Sequence, residues 1–372
     1  MKTLYIVAGE ISGDTHASAL LRELGRLDDW RFTGLGGPAM HEVSGAIENW
    51  LEEAAVLGLV EVLRKYSYFR DKLSEATEAI VGERPDGVVL VDYPGFNLRL
   101  AKQLRGRGFE GKILYYISPQ VWAWKKGRIR KMAKILDLMI CIFPFEKDLY
   151  EKSGLATVFS GHPLVDEMKE IRDPGIKRVS TRVALLPGSR EREIEALFPP
   201  MVEAARELAG AEEELLFCTT GATEKLTKRL EEIVGESGLD DRFEIGKESS
   251  HEIMQRCGVG VVASGTATLE AACLGLPYCL TYRVAWLTAW VARRLMSVDY
   301  LGIVNVLAGR EVVTELLQER ASGPELARAL RELLEDDSKR IALESELEKI
   351  VSLLGEGGAH RNAAAAIQRQ WS

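Results

Sequence analysis

Short apolar runs alternate along this chain with longer amphipathic stretches of helical periodicity, and this alternation constrains the fold most. In the first half, the apolar runs predict strands at residues 4–8, 31–34, 87–91, 112–116, 138–142 and 157–159. A second series follows at residues 183–186, 214–219, 243–245, 259–263 and 278–281. Strands separated by helices form parallel sheets through βαβ crossovers. The sequence therefore predicts an α/β fold with two Rossmann-like halves, followed by helices from Gly323 onward.

The polar stretch 166–182, centred on Pro174-Gly175, is predicted to link the two halves. The chain has 372 residues, more than one hydrophobic core usually holds. We expect a first domain at 1–170, a second at 171–345, and a C-terminal helix at 346–372 that packs back on the first domain. Because ligands bind beyond the carboxyl ends of parallel strands, the two sheets are expected to face each other across a cleft.

Charge and composition exclude several classes of protein. The net charge is −8 and the basic residues are local, so no nucleic-acid-binding surface is expected. Met1-Lys2 leads directly into a predicted strand, and no apolar run is long enough to span a bilayer, which predicts a cytoplasmic location. The five cysteines include no C-x-x-C pair, and the five histidines show no metal-binding spacing.

The first strand leads into a glycine turn with the sequence Ala-Gly-Glu-Ile-Ser-Gly-Asp. Turns of this form often hold a phosphate on helix N–H groups, but the carboxylates of Glu10 and Asp14 would repel it. Ser12 or Asp14 is predicted to cap a helix over residues 15–27. Either these carboxylates are neutralised, or the turn faces something other than a phosphate.

Two turns in the second half have the features of a nucleoside-diphosphate site. The first runs from a buried strand through Ser264-Gly265-Thr266 into a helix, so a ligand could reach backbone N–H groups and hydroxyls, including that of Thr268. Glu270 suits the paired hydroxyls of a ribose. The alternative is a plain strand–helix turn capped by Thr266.

The second of these turns reads Leu-Leu-Pro-Gly-Ser-Arg, and Gly188, Ser189 and Arg190 are its candidate ligand contacts. The guanidinium of Arg190 is permanently charged and can bind a phosphate at two points. The alternative is a solvated helix start, and for Arg192 that alternative is the better interpretation.

A candidate general base lies in the first half. Asp92 follows a buried strand and precedes Pro94-Gly95, so its carboxylate is expected at the end of the sheet and partly desolvated. A turn-forming or capping aspartate is the alternative. Asn97 is predicted either to contact a ligand or to cap the next helix.

Further segments point to an acyl or membrane contact. Ser118-Pro119-Gln120 forms a loop, after which Trp122 and Trp124 could stack on a sugar or acyl chain or pack internally. Two apolar stretches are either core helices or lipid-facing surfaces; they are residues 54–73, with Leu57, Val60 and Leu63, and residues 284–296. The basic residues within 125–134 indicate a solvated face, a phosphate-bearing ligand or an anionic membrane.

In their order along the chain, these motifs resemble the lipid-A-disaccharide synthase family of bacterial glycosyltransferases. The resemblance covers nearly the whole chain and also rests on Leu-Gly-Leu-Val-Glu-Val-Leu (57–63), Phe-Pro-Phe-Glu-Lys (143–147), Gly-His-Pro (161–163) and Asn-Val-Leu-Ala-Gly-Arg-Glu (305–311). It implies a GT-B fold. It also implies transfer of 2,3-diacylglucosamine from UDP-2,3-diacylglucosamine to 2,3-diacylglucosamine 1-phosphate, which yields the β(1→6) lipid A disaccharide 1-phosphate and UDP.

The resemblance also assigns roles to residues. Glu10 and Asp92 match the acidic catalytic positions, and Asn305 and Gln318 join Arg190 and the 264–270 segment on the donor side. Because the diphosphate is assigned to that side, the opening turn is assigned to the acceptor side, where Glu10 can meet sugar hydroxyls and Ser12 and Asn97 can contact the acceptor. It implies a hexosyltransferase that needs no metal and no cofactor and lies peripherally on the inner face of the bacterial inner membrane. The implied partners are the two acylated sugars and an anionic membrane surface, with a homodimer left open. Gly95 departs from the family pattern, in which many members have a second aspartate.

Two other functions remain open at this point. A sugar-nucleotide epimerase could share the double Rossmann pattern, but it would need no lipid acceptor and would leave the apolar 54–73 segment unexplained. A dinucleotide-binding module is the other alternative, although the first turn lacks G-x-G-x-x-G.

Overall fold

The computed structural model describes residues 1–51, 62–121, 126–284 and 299–371. The chain divides into two compact units, the first formed by residues 1–166 and 354–372 and the second by residues 167–353. Each unit contains one parallel β-sheet. The α/β class predicted from the alternating pattern is therefore confirmed.

The first unit has a seven-stranded sheet in the order β3-β2-β1-β4-β5-β6-β7. Its strands are β1 (Lys2–Ala8), β2 (Trp30–Gly36), β3 (Ile47–Asn49), β4 (Gly87–Val91), β5 (Lys112–Tyr116), β6 (Leu138–Cys141) and β7 (Thr157–Phe159). Its helices are Ile11–Leu27, Pro38–Val43, Val62–Glu83, Pro94–Gly106, Ile129–Met132, Pro144–Glu151 and Ala359–Gln368, with a 3₁₀ turn at Lys126–Arg128. The helix Pro163–Ile171 crosses from this unit into the second.

Strand β1 shows why the centre of this sheet reads as an unbroken apolar run. Leu4 and Ile6 pack into the core on one face of the sheet, and Tyr5 and Val7 pack into the core on the other. Successive side chains of a strand point to opposite faces, so a strand that is covered on both faces needs apolar residues throughout.

The C-terminal helix Ala359–Gln368 completes one of these two cores. Its buried residues Ala363 and Ile367 pack with the helix Ile11–Leu27 and strand β1. The indole N–H of Trp30 donates to Gln368 Oε1 over 3.1 Å, and Tyr116 Oη lies 3.0 Å from His360 Nδ1. Small alanine side chains allow the two helices to approach closely, so the helix belongs structurally to the first unit.

The second unit has a six-stranded sheet in the order β10-β9-β8-β11-β12-β13. Its strands are β8 (Val179–Leu186), β9 (Leu216–Thr219), β10 (Phe243–Ile245), β11 (Cys257–Ala263), β12 (Tyr278–Tyr282) and β13 (Glu315–Leu317). Its helices are Glu191–Ala209, Glu224–Ser237, Ser250–Arg256, Thr266–Cys273, Ile303–Ala308, Gly323–Glu335 and Asp337–Ser352, with 3₁₀ turns at Asp240–Arg242 and Gln318–Arg320. Its largest core lies between β8, β11 and the helices Glu191–Ala209 and Gly323–Glu335.

The structure corrects some predicted boundaries. The stretch 166–182 is not a continuous linker, because the helix Pro163–Ile171 covers its start and β8 begins at Val179. The first four residues of β8 read Val-Ser-Thr-Arg and are exposed or partly exposed, so the apolar pattern placed the strand start at Val183. The edge strands β3 and β13 were not predicted, since β3 reads Ile-Glu-Asn with a single apolar residue and β13 begins with the buried Glu315.

None of the helices within the described ranges is long and apolar enough to span a membrane.

Candidate active site

In the first unit, Asp92 lies on a strained turn at the carboxyl end of β4. Both Asp92 and Tyr93 have φ near +46°, in the left-handed region that non-glycine residues rarely adopt. Neighbouring groups hold the backbone of Asp92 in this conformation. Its N–H donates to Tyr116 O over 2.9 Å, and its carbonyl oxygen accepts from the Tyr115 hydroxyl and from Asn97 Nδ2. Such strain persists only where the surroundings fix it, and it is frequent at functional sites.

The turn that carries Asp92 contacts the opening turn of the chain. The Tyr93 ring lies against Gly9, and a Cβ atom added at Gly9 would come within 2.0 Å of that ring. Only glycine therefore permits this approach, which brings the exposed Glu10 near Asp92. Burial raises the pKa of Asp92 above its usual value, and the negative charge of Glu10 raises it further. A carboxylate with a raised pKa holds a proton more tightly than an ordinary aspartate, which suits a general base.

Asp14 has a structural role rather than capping its own helix. That helix begins at Ile11, four residues before the predicted start, and Glu10 occupies its N-cap position. The carboxylate of Asp14 is buried and accepts from the N–H groups of Gly37, Ala39 and Met40 at 2.8, 2.9 and 3.0 Å. It therefore satisfies the first turn of the next helix, Pro38–Val43. Of the two carboxylates in the opening turn, only Glu10 remains exposed to a ligand.

Two predicted acceptor contacts are buried and engaged elsewhere. Asn97 is fully buried and donates from Nδ2 to the carbonyl oxygens of Val91 and Asp92, so it neither caps its helix nor faces a ligand. Ser118 is also buried, and its hydroxyl donates to Glu146 Oε2 over 2.6 Å. Both predictions are corrected to positioning roles, because these side chains fix the turns that follow β4 and β5.

The remaining acceptor and lipid predictions are only partly covered by the described residues. Ser12 and Gln120 are exposed in the first unit. Leu57, Val60 and Trp122 lie outside the described residues, and so do Trp124 and most of the 284–296 segment. Leu63 lies in the helix Val62–Glu83, but its side chain is outside the description.

A cavity of about 620 Å³ lies at the carboxyl ends of β8 and β11 in the second unit. Gly188, Ser189 and Arg190 line it from one turn, and the Ser264-Gly265-Thr266 turn lines it from another. Glu270 and the helix start at Ser249-Ser250 complete part of the wall. The structure thus brings together most of the residues that were predicted for the donor.

The two turns offer different groups to a ligand: one offers backbone N–H groups and the other a charged side chain. Gly265 has φ +151° and leads into the helix Thr266–Cys273, whose first N–H groups have no acceptor within the helix. Arg190 precedes the helix Glu191–Ala209 and pairs with Glu193 Oε1 at 3.0 Å. Its side chain is 81% exposed, so it can leave this pair to meet an anion. Gly188 has φ +109°, and a Cβ there would collide with Glu193.

Some donor predictions are not supported by these positions. Thr268 is buried, and its hydroxyl donates to Gly265 O over 2.8 Å, so that hydroxyl is used within the turn. Asn305 is also buried, because its side chain bonds to the backbone of Val312 and Val313 and to Glu315. Both residues are corrected to structural roles. Gln318 lies outside the cavity wall on a left-handed turn after β13.

His251 was not predicted as a site residue. Its Nε2 lies 3.2 Å from Oε2 of Glu270, and Glu270 lines the cavity whereas His251 does not. A histidine in an amphipathic helix carries no signal of its own. Its significance depends on a contact between two helices that the sequence pattern does not reveal. Within the described ranges, no three His, Cys, Asp or Glu side chains are grouped to hold a metal ion.

The chain is similar to known proteins over nearly its whole length. A family model described as lipid-A-disaccharide synthetase matches residues 4–369. The lipid-A-disaccharide synthase of Geobacter sulfurreducens is 37% identical over 378 residues, covering 98% of this chain and 96% of the relative. The enzyme of the same name from Persephonella marina is 37% identical over 381 residues and covers 99% of each chain.

Solved structures show the same fold at low sequence identity. A putative UDP-N-acetylglucosamine 2-epimerase from Listeria monocytogenes has a TM-score of 0.65 and 14% identity, covering 100% of this chain and 96% of that one. The UDP-GlcNAc 2-epimerase of Neisseria meningitidis, solved with UDP-GlcNAc, has a TM-score of 0.64 and 12% identity, with 99% and 100% coverage. These similarities show the fold alone, and the predicted GT-B fold with two Rossmann-like domains is confirmed.

Proposed function

This chain belongs to the lipid-A-disaccharide synthetase family and is a UDP-sugar-dependent glycosyltransferase, and from this premise we propose its substrates and mechanism. The donor is UDP-2,3-diacylglucosamine and the acceptor is 2,3-diacylglucosamine 1-phosphate. The 6-hydroxyl oxygen of the acceptor attacks the anomeric carbon on the face opposite UDP. The bond between that carbon and the diphosphate oxygen breaks, which inverts the anomeric centre and forms the β(1→6) disaccharide 1-phosphate.

The pairing of Glu10 with Asp92 is the observation that carries this mechanism. Asp92 accepts the proton of the attacking hydroxyl, and its raised pKa makes it a stronger base than an exposed aspartate. The hydrogen bonds to its backbone from Tyr115 and Asn97 hold the turn, so the carboxylate needs little reorganisation. Glu10 positions the acceptor sugar through its hydroxyls, with the role of base as its alternative assignment.

The cavity of the second unit binds the UDP portion of the donor. Its helix start at Thr266 offers backbone N–H groups and the positive end of a helix dipole to the diphosphate. Arg190 adds a mobile guanidinium that neutralises the leaving group as its charge develops. Glu270 accepts hydrogen bonds from the ribose hydroxyls. Gln318 remains a proposed donor contact from outside the cavity wall.

We further propose peripheral binding to the inner face of the bacterial inner membrane, where both acylated substrates reside. The exposed side chains of Arg128, Arg130, Lys131 and Lys134 support this proposal, while Ile129 and Met132 between them are buried. Each basic side chain near an anionic surface contributes about 1 kcal/mol of attraction, which falls off within a Debye length. Ser12 and Gln120 are retained as proposed acceptor contacts because they are exposed.

Acceptor-dependent release of UDP is the decisive assay. The purified full chain is incubated with UDP-2,3-diacylglucosamine, with and without the acylated acceptor, and UDP and disaccharide are quantified. Release that requires the acceptor supports transfer. Isomerised nucleotide sugar in the absence of acceptor would instead identify an epimerase and refute the proposal.

The role of Asp92 is tested by Asp92→Asn, which retains the backbone hydrogen bonds of the turn. We expect kcat to fall by about 100-fold or more, as for loss of a general base. Asp29→Asn is the matched control, because Asp29 is exposed in the loop before β2, at the opposite end of the strands. Near-normal turnover of Asp92→Asn would remove Asp92 as the base.

Membrane binding is tested separately with vesicles of anionic and of zwitterionic phospholipid. We expect co-sedimentation with anionic vesicles at low salt and its loss at high salt. The charge-reversed variant Arg130→Glu/Lys131→Glu should bind more weakly, while Arg328→Glu, an exposed arginine of the second unit, serves as control. Absence of binding at low salt would refute the proposal without affecting the proposed chemistry.

A further inference from the structure

We infer that His251 is a positioning residue that holds Glu270 for the ribose hydroxyls of a nucleoside diphosphate. The inference rests on the proposed donor site. His251 Nε2 and Glu270 Oε2 are 3.2 Å apart, and their side chains are 28% and 20% exposed. Glu270 lines the cavity and His251 does not, so the imidazole acts on a ligand there through the carboxylate that it contacts.

The backbone of His251 is well anchored. His251 lies in the first turn of the helix Ser250–Arg256, which Ser249 caps by accepting from Glu252 N. The carbonyl oxygen of His251 accepts from Gln255 Nε2, and Gln255 Oε1 in turn accepts from Asp173 N. The imidazole therefore projects from a fixed point towards the helix that carries Glu270.

The hydrogen bond from His251 restricts the orientation of the Glu270 side chain. As the donor to a carboxylate, Nε2 carries the proton, and the bond occupies one of the two carboxylate oxygens. A glutamate side chain loses rotamer freedom when a ligand immobilises it. If His251 immobilises Glu270 beforehand, the ligand no longer bears that loss, and the second carboxylate oxygen of Glu270 is left to accept from the ligand.

A purely structural role would have a different signature. The same contact could simply join the helices Ser250–Arg256 and Thr266–Cys273, and its loss would then weaken every nucleotide equally. A positioning role instead weakens most the ligand that offers both ribose hydroxyls to Glu270. Comparison of UDP with 2′-deoxy-UDP separates the two roles, because the latter lacks one of the hydroxyls that Glu270 would accept from.

The experiment measures dissociation constants of UDP and 2′-deoxy-UDP by calorimetry on the full chain. The variants are His251→Leu, which removes the donor, and His251→Gln, which keeps a neutral N–H donor. We expect His251→Leu to weaken the binding of UDP about fivefold to tenfold, because the ligand must then immobilise the Glu270 side chain itself. The binding of 2′-deoxy-UDP should weaken by a smaller factor, since it offers Glu270 one hydroxyl instead of two, so discrimination between the nucleotides falls. His251→Gln should restore most of it.

Two controls make the result specific. In a Glu270→Gln background, His251→Leu should cause no further loss of discrimination. His41→Leu makes the same substitution in the first unit, where His41 Nδ1 contacts Ile47 O, and should leave both affinities unchanged. If His251→Leu fails to fold, His251→Asn replaces it, because its amide is too short to reach Glu270.

Equal weakening of both nucleotides by His251→Leu, or no weakening of either, would overturn the positioning role. These outcomes are distinct from failure of the proposed function. In that case the parent protein itself would bind neither nucleotide, which would overturn both proposals together.

Discussion

Removing one carboxylate of the opening turn should reduce stability, whereas removing the other should reduce turnover. Asp14→Ala is expected to destabilise the first unit, whereas Glu10→Ala should leave its stability unchanged and reduce turnover. The reason is that Asp14 is 3% exposed and accepts three backbone N–H bonds, while Glu10 is exposed and makes no side-chain capping bond.

The magnitude follows from the donors that Asp14→Ala leaves behind. The N–H groups of Gly37 and Met40 bond to Asp14 in buried surroundings, while the bond from Ala39 is only partly buried and its N–H can turn to water. A buried donor without a partner costs about 1–3 kcal/mol, so the two buried donors predict a loss of about 2–6 kcal/mol. Glu10→Ala should change the free energy of unfolding by no more than about 0.5 kcal/mol.

Asp14→Asn provides an intermediate. Gly37 N and Met40 N both donate to Oδ1 of Asp14, and Ala39 N donates to Oδ2. An asparagine with its carbonyl oxygen at the Oδ1 position keeps the two buried bonds but turns its own donor towards Ala39. Its loss of stability should therefore be smaller than that of Asp14→Ala.

Urea unfolding combined with amide hydrogen exchange tests this reasoning locally. Peptides that cover residues 30–43 should lose protection in Asp14→Ala and keep it in Glu10→Ala, while peptides over 183–200 in the second unit serve as the internal reference. Unchanged protection and an unfolding free energy within about 1 kcal/mol of the parent for Asp14→Ala would refute the structural role. Loss of turnover with unchanged stability would place Asp14 beside the substrate instead.

Three further predictions follow from the same unit. Glu10→Gln removes the negative charge of Glu10, which is one of the two causes that raise the pKa of Asp92. The acid limb of the pH profile of kcat/KM should therefore move to lower pH. An unmoved limb would contradict the pairing of Glu10 with Asp92. Gly95→Asp should fold, because an added Cβ meets no atom within 4 Å, and its charge should move that limb to higher pH; a shift to lower pH would contradict this. Burial lowers the pKa of His16 and of His162 to about 4 from 6.5, so both are neutral in the folded chain at pH 6. As the pH falls from 6.5 to 4, these two histidines are protonated in the unfolded chain before they are protonated in the folded chain, so the free energy of unfolding should decrease over this range. A urea midpoint that stays constant between pH 6.5 and 4 would contradict the burial of these rings.

The central strands could be predicted from sequence because their apolar runs end at residues that break the pattern. The predicted bounds of β4, β5, β7 and β10 match the structure, whereas β3 has a single apolar residue and β13 begins with a buried glutamate. The start of β8 was placed late because its first residues extend beyond the buried part of the sheet. Periodicity detects apolar residues on a buried face, so it fails where a strand is exposed or contains polar residues.

The location of the site was easier to predict than the role of each side chain. Asp92, Arg190 and Glu270 follow strand ends, so their positions at the sheet edge were predictable from topology. Asp14, Asn97 and Thr268 are polar residues in the same turns, but their hydrogen bonds fix the backbone. For Asp14 the partners lie 23 to 26 residues away in sequence, which a local capping rule does not reach.

Electrostatics explains why two units of similar topology take different parts of the proposed reaction. The turns of the first unit hold Glu10 near Asp92, and their mutual repulsion raises the proton affinity of Asp92, which favours deprotonation of a neutral hydroxyl. The same two charges would oppose a diphosphate. In the second unit, the cavity wall combines a helix start at Thr266 with the exposed guanidinium of Arg190, which favours a developing negative charge. Exchange of these turns between the units would place the carboxylate base beside the departing UDP. We infer that the distribution of charge, more than the fold, determines which unit receives the acceptor and which receives the UDP portion of the donor.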